Sequence, residues 1–157
     1  NKIGERALPF MKRELNICAE TGTEKYQEIE KIIGLVRDRV KTLKEIADAS
    51  GYFFEDDFQY DEKGVKKHFR KEGVGKVLSE VSRALQKVEP FEAEKIRDEL
   101  HDLGQKLDVS LSRINLPTRL ALTGRTMGPE LFDIISLLGK DRVINRLKKA
   151  KELFELN

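Results

Sequence analysis

Apolar positions recur along this chain at alternating steps of three and four, the spacing of a helix with one buried face. Tyr26, Ile29, Ile33, Val36, Val40, Leu43 and Ala47 keep to it without a break. That predicts one long helix, opened by Thr23 as an acceptable N-cap and stopped at Ser50-Gly51. Val74, Val77, Val81, Leu85 and Val88 make a second stripe, closed by Glu89-Pro90, and Ile96, Leu100, Leu103 and Leu107 a third. No useful length alternates with period two. Tyr52-Phe53-Phe54, between Gly51 and an acidic cluster, reads as a loop-packing segment and not a strand. The expected fold class is all-α.

The pattern changes character between Leu107 and Leu116. Helices before that point are amphipathic with long charged faces; those after it are short and bounded by Pro and Gly. Two small helical modules are therefore expected, residues 1–108 and 109–157. Within Leu116–Leu147, Pro117 and Pro129 each suit the first turn of a helix, where a missing N–H costs nothing. Gly124 and Gly139 suit the left-handed position just past a helix end. Between the two helices lies Gly124-Arg125-Thr126-Met127-Gly128-Pro129, a tight loop carrying a cation, with Arg119 upstream on the first helix. Leu120, Leu122, Leu131, Phe132, Ile135 and Leu138 are most simply core, and Leu131 stands out because it directly follows the loop.

Composition narrows the classes. The chain has 157 residues, 39% hydrophobic and 37% charged, without Trp; that length can bury a sizeable core, and no apolar run is long enough to span a membrane. No secretory leader is visible. A single cysteine, Cys18, rules out an internal disulfide and fits a reducing cytoplasm. The first residue is Asn1 and not Met, which suggests that the chain begins inside a longer polypeptide. Net charge is only +2, but its distribution is uneven. Lys63–Lys87 holds eight Lys or Arg against two Glu, and Lys140–Lys151 six against one Asp, whereas acids gather in Glu55–Glu62 and Glu89–Asp108. Such a chain can show basic faces to phosphates while staying near neutral. The plainer reading of any one run is a solvated, salt-bridged helix surface.

No active site is apparent. His68 and His101, with one cysteine, are too few and too scattered for structural zinc. His68 follows Lys66-Lys67 and reads as a surface residue, and His101 beside Asp102 as solvent-exposed. Gly73-Val74-Gly75-Lys76 lacks the preceding strand and the spacing of a phosphate-binding loop, so it reads as a helix start. Asp56-Asp57 have no partner histidine or apolar cradle to tune them for acid–base work.

The ordered motifs resemble the C-terminal anticodon-binding region of bacterial glutamyl-tRNA synthetases. The strongest likeness is in Leu116–Leu147, where Arg119, Ala121-Leu122-Thr123-Gly124, Pro129, Leu131-Phe132, Leu137-Leu138-Gly139-Lys140, Arg142 and Arg146-Leu147 follow the family's pattern. Leu35–Ile46 and Tyr52–Asp57, then Tyr60-Asp61-Glu62-Lys63, and upstream Leu8-Pro9-Phe10, resemble further family segments. The resemblance implies a helical cage followed by an anticodon-binding domain, within a class I ligase that joins glutamate to its tRNA. By resemblance Arg119 reaches the anticodon loop, Gly128, Pro129 and Leu131 pack on an anticodon base, and Arg39, or its neighbour Arg37, lies where the family reads the third base. The nucleotide-binding signatures of the catalytic half are missing from this chain. The fragment is thus expected to be inactive and to hold no cofactor, with ATP and magnesium belonging to the catalytic domain. Implied partners are that N-terminal domain and glutamate tRNA, with glutamine tRNA left open; the implied setting is a cytoplasmic monomer.

Elementary chemistry suits these roles. A single-stranded loop can splay its bases to be stacked and read on their edges, and arginine offers a flat fork that stacks and donates two bonds at once. Lys140, Arg142, Arg146 and the loop's Arg125 are candidates for phosphate contacts. The duller alternatives are Arg119 paired with Asp133 or Glu130 as a structural cation, and Arg142 and Arg146, four apart, as plain surface charges on one helix face. A different class stays in view: a helical protein-interaction or regulatory domain whose basic faces meet an acidic partner.

Overall fold

The computed structural model describes residues 2–17, 19–20 and 22–155; Asn1 and Cys18 lie outside the described residues. Among these, every regular element is helical, and none is long and apolar enough to cross a membrane. The chain divides into two compact units, Asn1–Asp57 and Phe58–Asn157.

In the first unit, α1 (Lys2–Leu15) and α2 (Glu24–Val36) are followed by a turn of 3-10 helix, Arg37–Arg39, and by α3 (Leu43–Ser50). These pack around Ala7, Met11, Tyr26, Ile29, Ile33, Val36, Ile46 and Ala47, all buried. Thr23 caps α2 as expected, its hydroxyl accepting from Tyr26 N–H at 3.2 Å. The single long helix does not survive. Val40 is extended (φ −134°, ψ 156°), and a new helix starts at Thr42, whose hydroxyl accepts from Glu45 N–H at 3.2 Å. The Glu45 carboxylate reaches back to Lys41 N–H at 2.8 Å. This is the reciprocal Thr-x-x-Glu capping device, shifted by one residue on the return bond, and it breaks the helix although the apolar spacing runs through it. Tyr52 and Phe53 are buried in a 3-10 turn, Gly51–Phe53, as a packing segment should be.

In the second unit, α4 (Glu62–Gly64) runs into a π-helical turn, Val65–Phe69. Then come α5 (Val74–Gln86), α6 (Ala93–Leu107), α7 (Leu111–Thr123), α8 (Leu131–Leu138) and α9 (Lys140–Glu155). Helix α5 is central: it packs on α6, α7 and α9 through Leu78, Val81 and Leu85, all but fully buried. Its outer stripe residues Val74 and Val77 are only half-buried. Helices α6 and α7 also pack together, joined by Asp108 in the left-handed region (φ 52°). The compact division therefore falls at 57/58, and 108/109 is a tight turn inside the second unit, because the α6 stripe of Ile96, Leu100 and Leu103 is covered by helices that follow it.

Two proline assignments shift. Pro117 lies inside α7, not in its first turn; lacking an N–H, it deprives the Arg113 carbonyl of its usual partner. Pro129 precedes α8 by two residues. Pro9 is likewise interior to α1. Replacing Thr42 by Ala should destabilise the first unit by about 1 kcal/mol, read from urea denaturation; an unchanged midpoint would show that packing alone breaks the helix.

Candidate nucleic-acid interface

Helix α7 ends because Gly124 turns left-handed (φ 74°), its N–H donating to the Leu120 carbonyl at 2.8 Å. The Gly124 carbonyl accepts from Asp61 N–H at 2.8 Å, tying the loop to the approach of α4. A Cβ at residue 124 would drive into the Gln59 carbonyl and the Phe58 ring, so both the turn and the close approach require glycine. Next door, the Thr126 methyl sits 2.7 Å from where a Cβ on Gly64 would be. The loop and the 58–64 segment are thus pressed together backbone to backbone.

Three side chains fix the loop from within. The Thr123 hydroxyl accepts from Arg125 N–H at 3.0 Å and lies 2.8 Å from the Arg119 carbonyl. Arg119 Nη1 donates to the Pro129 carbonyl at 2.8 Å, spanning the loop from helix to exit. Arg146, from α9, donates to the Leu122 carbonyl (2.6 Å) and lies over the Phe58 ring at 4.8 Å. It is 3% exposed. Burial raises the Tyr60 phenol above its ordinary value while the Arg146 guanidinium pulls it the other way.

The residues singled out from sequence therefore separate. Arg146 is a correction: buried and bonded to a helix carbonyl, it offers nothing to a phosphate. Leu131, 2% exposed, and buried Pro129 support the loop from beneath, so their side chains are not an open platform for a base, and Gly128 is half-buried. Arg119 is half-buried and grips the Pro129 carbonyl. Lys140 is partly committed, with Gln86 carbonyl and Glu89 carboxylate at 3.2 and 3.4 Å. Arg125 is exposed and Arg142 half-exposed. In the first unit Arg37 and Arg39 are exposed, Arg37 lying 3.6 Å from Asp38. His101 is half-buried, edge-on to Phe132 at 6.1 Å.

One surface residue escaped the sequence reading. Met127, at the middle of the loop, is 80% exposed. Its signal was available: a large apolar residue flanked by Thr126 and Gly128 in a loop too short to fold back on itself. With Arg125 two residues away, the loop shows solvent a flexible, polarizable apolar group beside a cation, the pairing that a splayed base and its phosphate would meet. The uncapped first turn of α8, where Glu130 makes no side-chain cap bond, adds backbone N–H groups at the same edge.

Known proteins match this chain in sequence and in fold. The profile of the family described as "Anticodon binding domain" matches residues 2–151. Glutamate–tRNA ligase 2 of Thermoanaerobacter pseudethanolicus is 42% identical over 155 residues, 99% of this chain and 32% of that protein. Glutamate–tRNA ligase 1 of Caldanaerobacter subterraneus is 39% identical over 157 residues, 100% and 32% respectively. A solved glutamate tRNA ligase from Elizabethkingia meningosepticum superposes with a TM-score of 0.81 at 28% identity, over 96% of this chain and 29% of that one. The chain thus spans about a third of the length of the curated relatives it matches.

Two stability outcomes follow from the loop's construction. Gly124→Ala should cost about 2–4 kcal/mol, strain plus collision, whereas Gly139→Ala, at φ 85° with open space around it, should cost about 1–2 kcal/mol from strain alone. Equal losses in thermal denaturation would contradict the close approach. Arg146→Leu should cost about 2–3 kcal/mol, the worth of a charged hydrogen bond, and leave the salt dependence of RNA binding where it was.

Proposed function

The chain belongs to the anticodon-binding domain family, and from that premise we propose that it reads the anticodon of glutamate tRNA for a glutamate–tRNA ligase of which it forms about a third. The observation that carries this reading is the loop 124–130, whose backbone is locked from inside while Arg125 and Met127 face outward. A rigid loop presenting an apolar side chain and a cation suits a single-stranded RNA loop, whose bases can be splayed onto flat or polarizable side chains. Arg119 then contributes in two ways: it sets where Pro129 and Gly128 lie, and its guanidinium is at the edge an anticodon base would approach. Arg39, with Arg37 beside it, is the proposed reader of the third base from the first unit. Arg142 and Lys140 are the proposed phosphate contacts.

On this reading the reaction chemistry, with ATP and magnesium, belongs to the remaining two-thirds of the ligase, and the chain itself contributes tRNA selection. The setting would be a cytoplasmic monomer. Discrimination against glutamine tRNA would rest with the third-base reader.

The test is fluorescence anisotropy of a labelled glutamate anticodon stem-loop over a range of salt. Arg125→Ala should weaken binding evenly across anticodon variants and lower the slope of log affinity against log salt by about 0.7 for the one phosphate lost. Arg119→Ala should instead cost about tenfold, about 1.4 kcal/mol, and flatten discrimination between anticodon bases. Binding that ignores both substitutions would contradict the reading, and a helical protein-interaction domain would show no salt-dependent RNA binding at all.

A further inference from the structure

A second feature of the Phe58–Asn157 unit stands apart from the loop. His68, expected at the surface, is 6% exposed, because the π-helical turn over 65–69 rolls it inward to face the first turns of α7. It lines a cavity of about 50 Å³ whose walls include Val77 and Pro117 and whose rim carries Lys71, Ser112 and Arg113. A single water needs roughly 10–15 Å³ of such space, so the cavity has room for several waters or one compact oxyanion. Among the described residues the imidazole makes no hydrogen bond and no carboxylate lines the cavity. Burial holds His68 below the ordinary histidine value, and the ammonium groups of Lys67 and Lys71 push it the same way.

That arrangement gathers positive groups around one cavity. Lys71 and Arg113, both exposed, bring two cations from different elements to the mouth of the cavity that His68 lines, with no acid among its walls. The positive end of α7 is at the same place: Ser112 and Arg113 sit in its first turn, and the N-cap Ser110 hydroxyl caps no backbone N–H but lies 3.0 Å from the Ser112 hydroxyl. The imidazole gives the site its orientation, since a buried ring without a partner offers an N–H to whatever fills the cavity. We propose that His68, Lys71, Ser112 and Arg113 form a binding site for a phosphate group, separate from the anticodon-reading loop. An inorganic phosphate and a phosphodiester of an RNA strand share the chemistry the site recognises. Ser112 and Arg119 are seven residues apart on α7, so they share a face about 10 Å apart along the axis.

The chain has only two histidines, which makes the test direct. Imidazole signals of His68 and His101 are followed by NMR while inorganic phosphate replaces chloride at constant ionic strength. His68 should shift saturably and titrate at higher pH when phosphate is bound, with His101 unmoved. Lys71 and Arg113 are exposed, so Lys71→Gln and Arg113→Gln should leave the melting temperature near the parent's while each weakens phosphate binding about tenfold. A His68 signal indifferent to phosphate, or one that responds equally in both variants, overturns the proposal. In a second arm, an anticodon stem-loop that moves His68 identifies a phosphodiester as the source. If the stem-loop leaves His68 unmoved while inorganic phosphate shifts it, the site takes a free phosphate. Failure of the stem-loop to bind at all would count against the anticodon reading and leave the phosphate site standing.

Discussion

Gly124 is the constraint on which the rest of the candidate interface depends. Its left-handed turn ends α7, its N–H closes the last helical bond, and its carbonyl accepts from Asp61 N–H. No other residue type fits, because the Gln59 backbone occupies the place of a Cβ. Once that turn is set, the chain from Arg125 to Pro129 has little freedom left. The Thr123 hydroxyl and the Arg119 guanidinium take up most of what remains. A loop immobilised in this way loses little conformational entropy when it meets a ligand, which is where rigid recognition surfaces gain affinity.

The same logic sorts the cations. A charge serves recognition only where it meets solvent, and burial takes it out of reach. Arg146 ends at a helix carbonyl and an aromatic face, and so stabilises the underside of α7 instead of meeting a ligand. Lys140 ties the start of α9 to the turn after α5. Arg125 lies on the outward side of the loop, and Arg37 and Arg39 on the surface of the first unit. A count of basic residues in 140–151 would have placed Arg146 with them. The difference is geometric: residue 146 shares a helix face with the buried Val143, Leu147 and Ala150.

Local signals were legible in the sequence wherever one residue sufficed to produce them. Thr23 caps, Gly124 stops α7 in the left-handed region, and the stripes of α5 and α6 bury Val81, Leu85, Ile96 and Leu100. Gly139, by contrast, stops α8 at φ 85° and ψ 154°, outside the left-handed helical region expected of it. What periodicity missed was competition. The stripe from Tyr26 to Ala47 is continuous, yet the Thr42–Glu45 capping pair outbids it, and that pair was visible as Thr-x-x-Glu. Pro117 inside α7 is tolerated because tertiary packing on α5, α6 and α9 outweighs one lost bond, which no local rule states. His68 and Met127 fail in opposite senses. A histidine read as a surface residue is buried by a π turn, and Met127, given no role from the sequence, is left in solvent by a tight loop. Both outcomes depend on contacts distant in sequence.

The central claim is that the outer edge of this loop, and not a basic helix face, receives the RNA. The chain has two methionines, Met11, fully buried in the first unit, and Met127 on the loop, so methyl-labelled methionine gives one reporter and one internal control. Titrating a glutamate anticodon stem-loop and recording methyl shifts and methyl-to-base NOEs decides the matter. The Met127 methyl should move upfield under a stacked base and show NOEs to anticodon protons, with Met11 unchanged. RNA binding that leaves Met127 where it was would contradict the claim and place the contact on another surface.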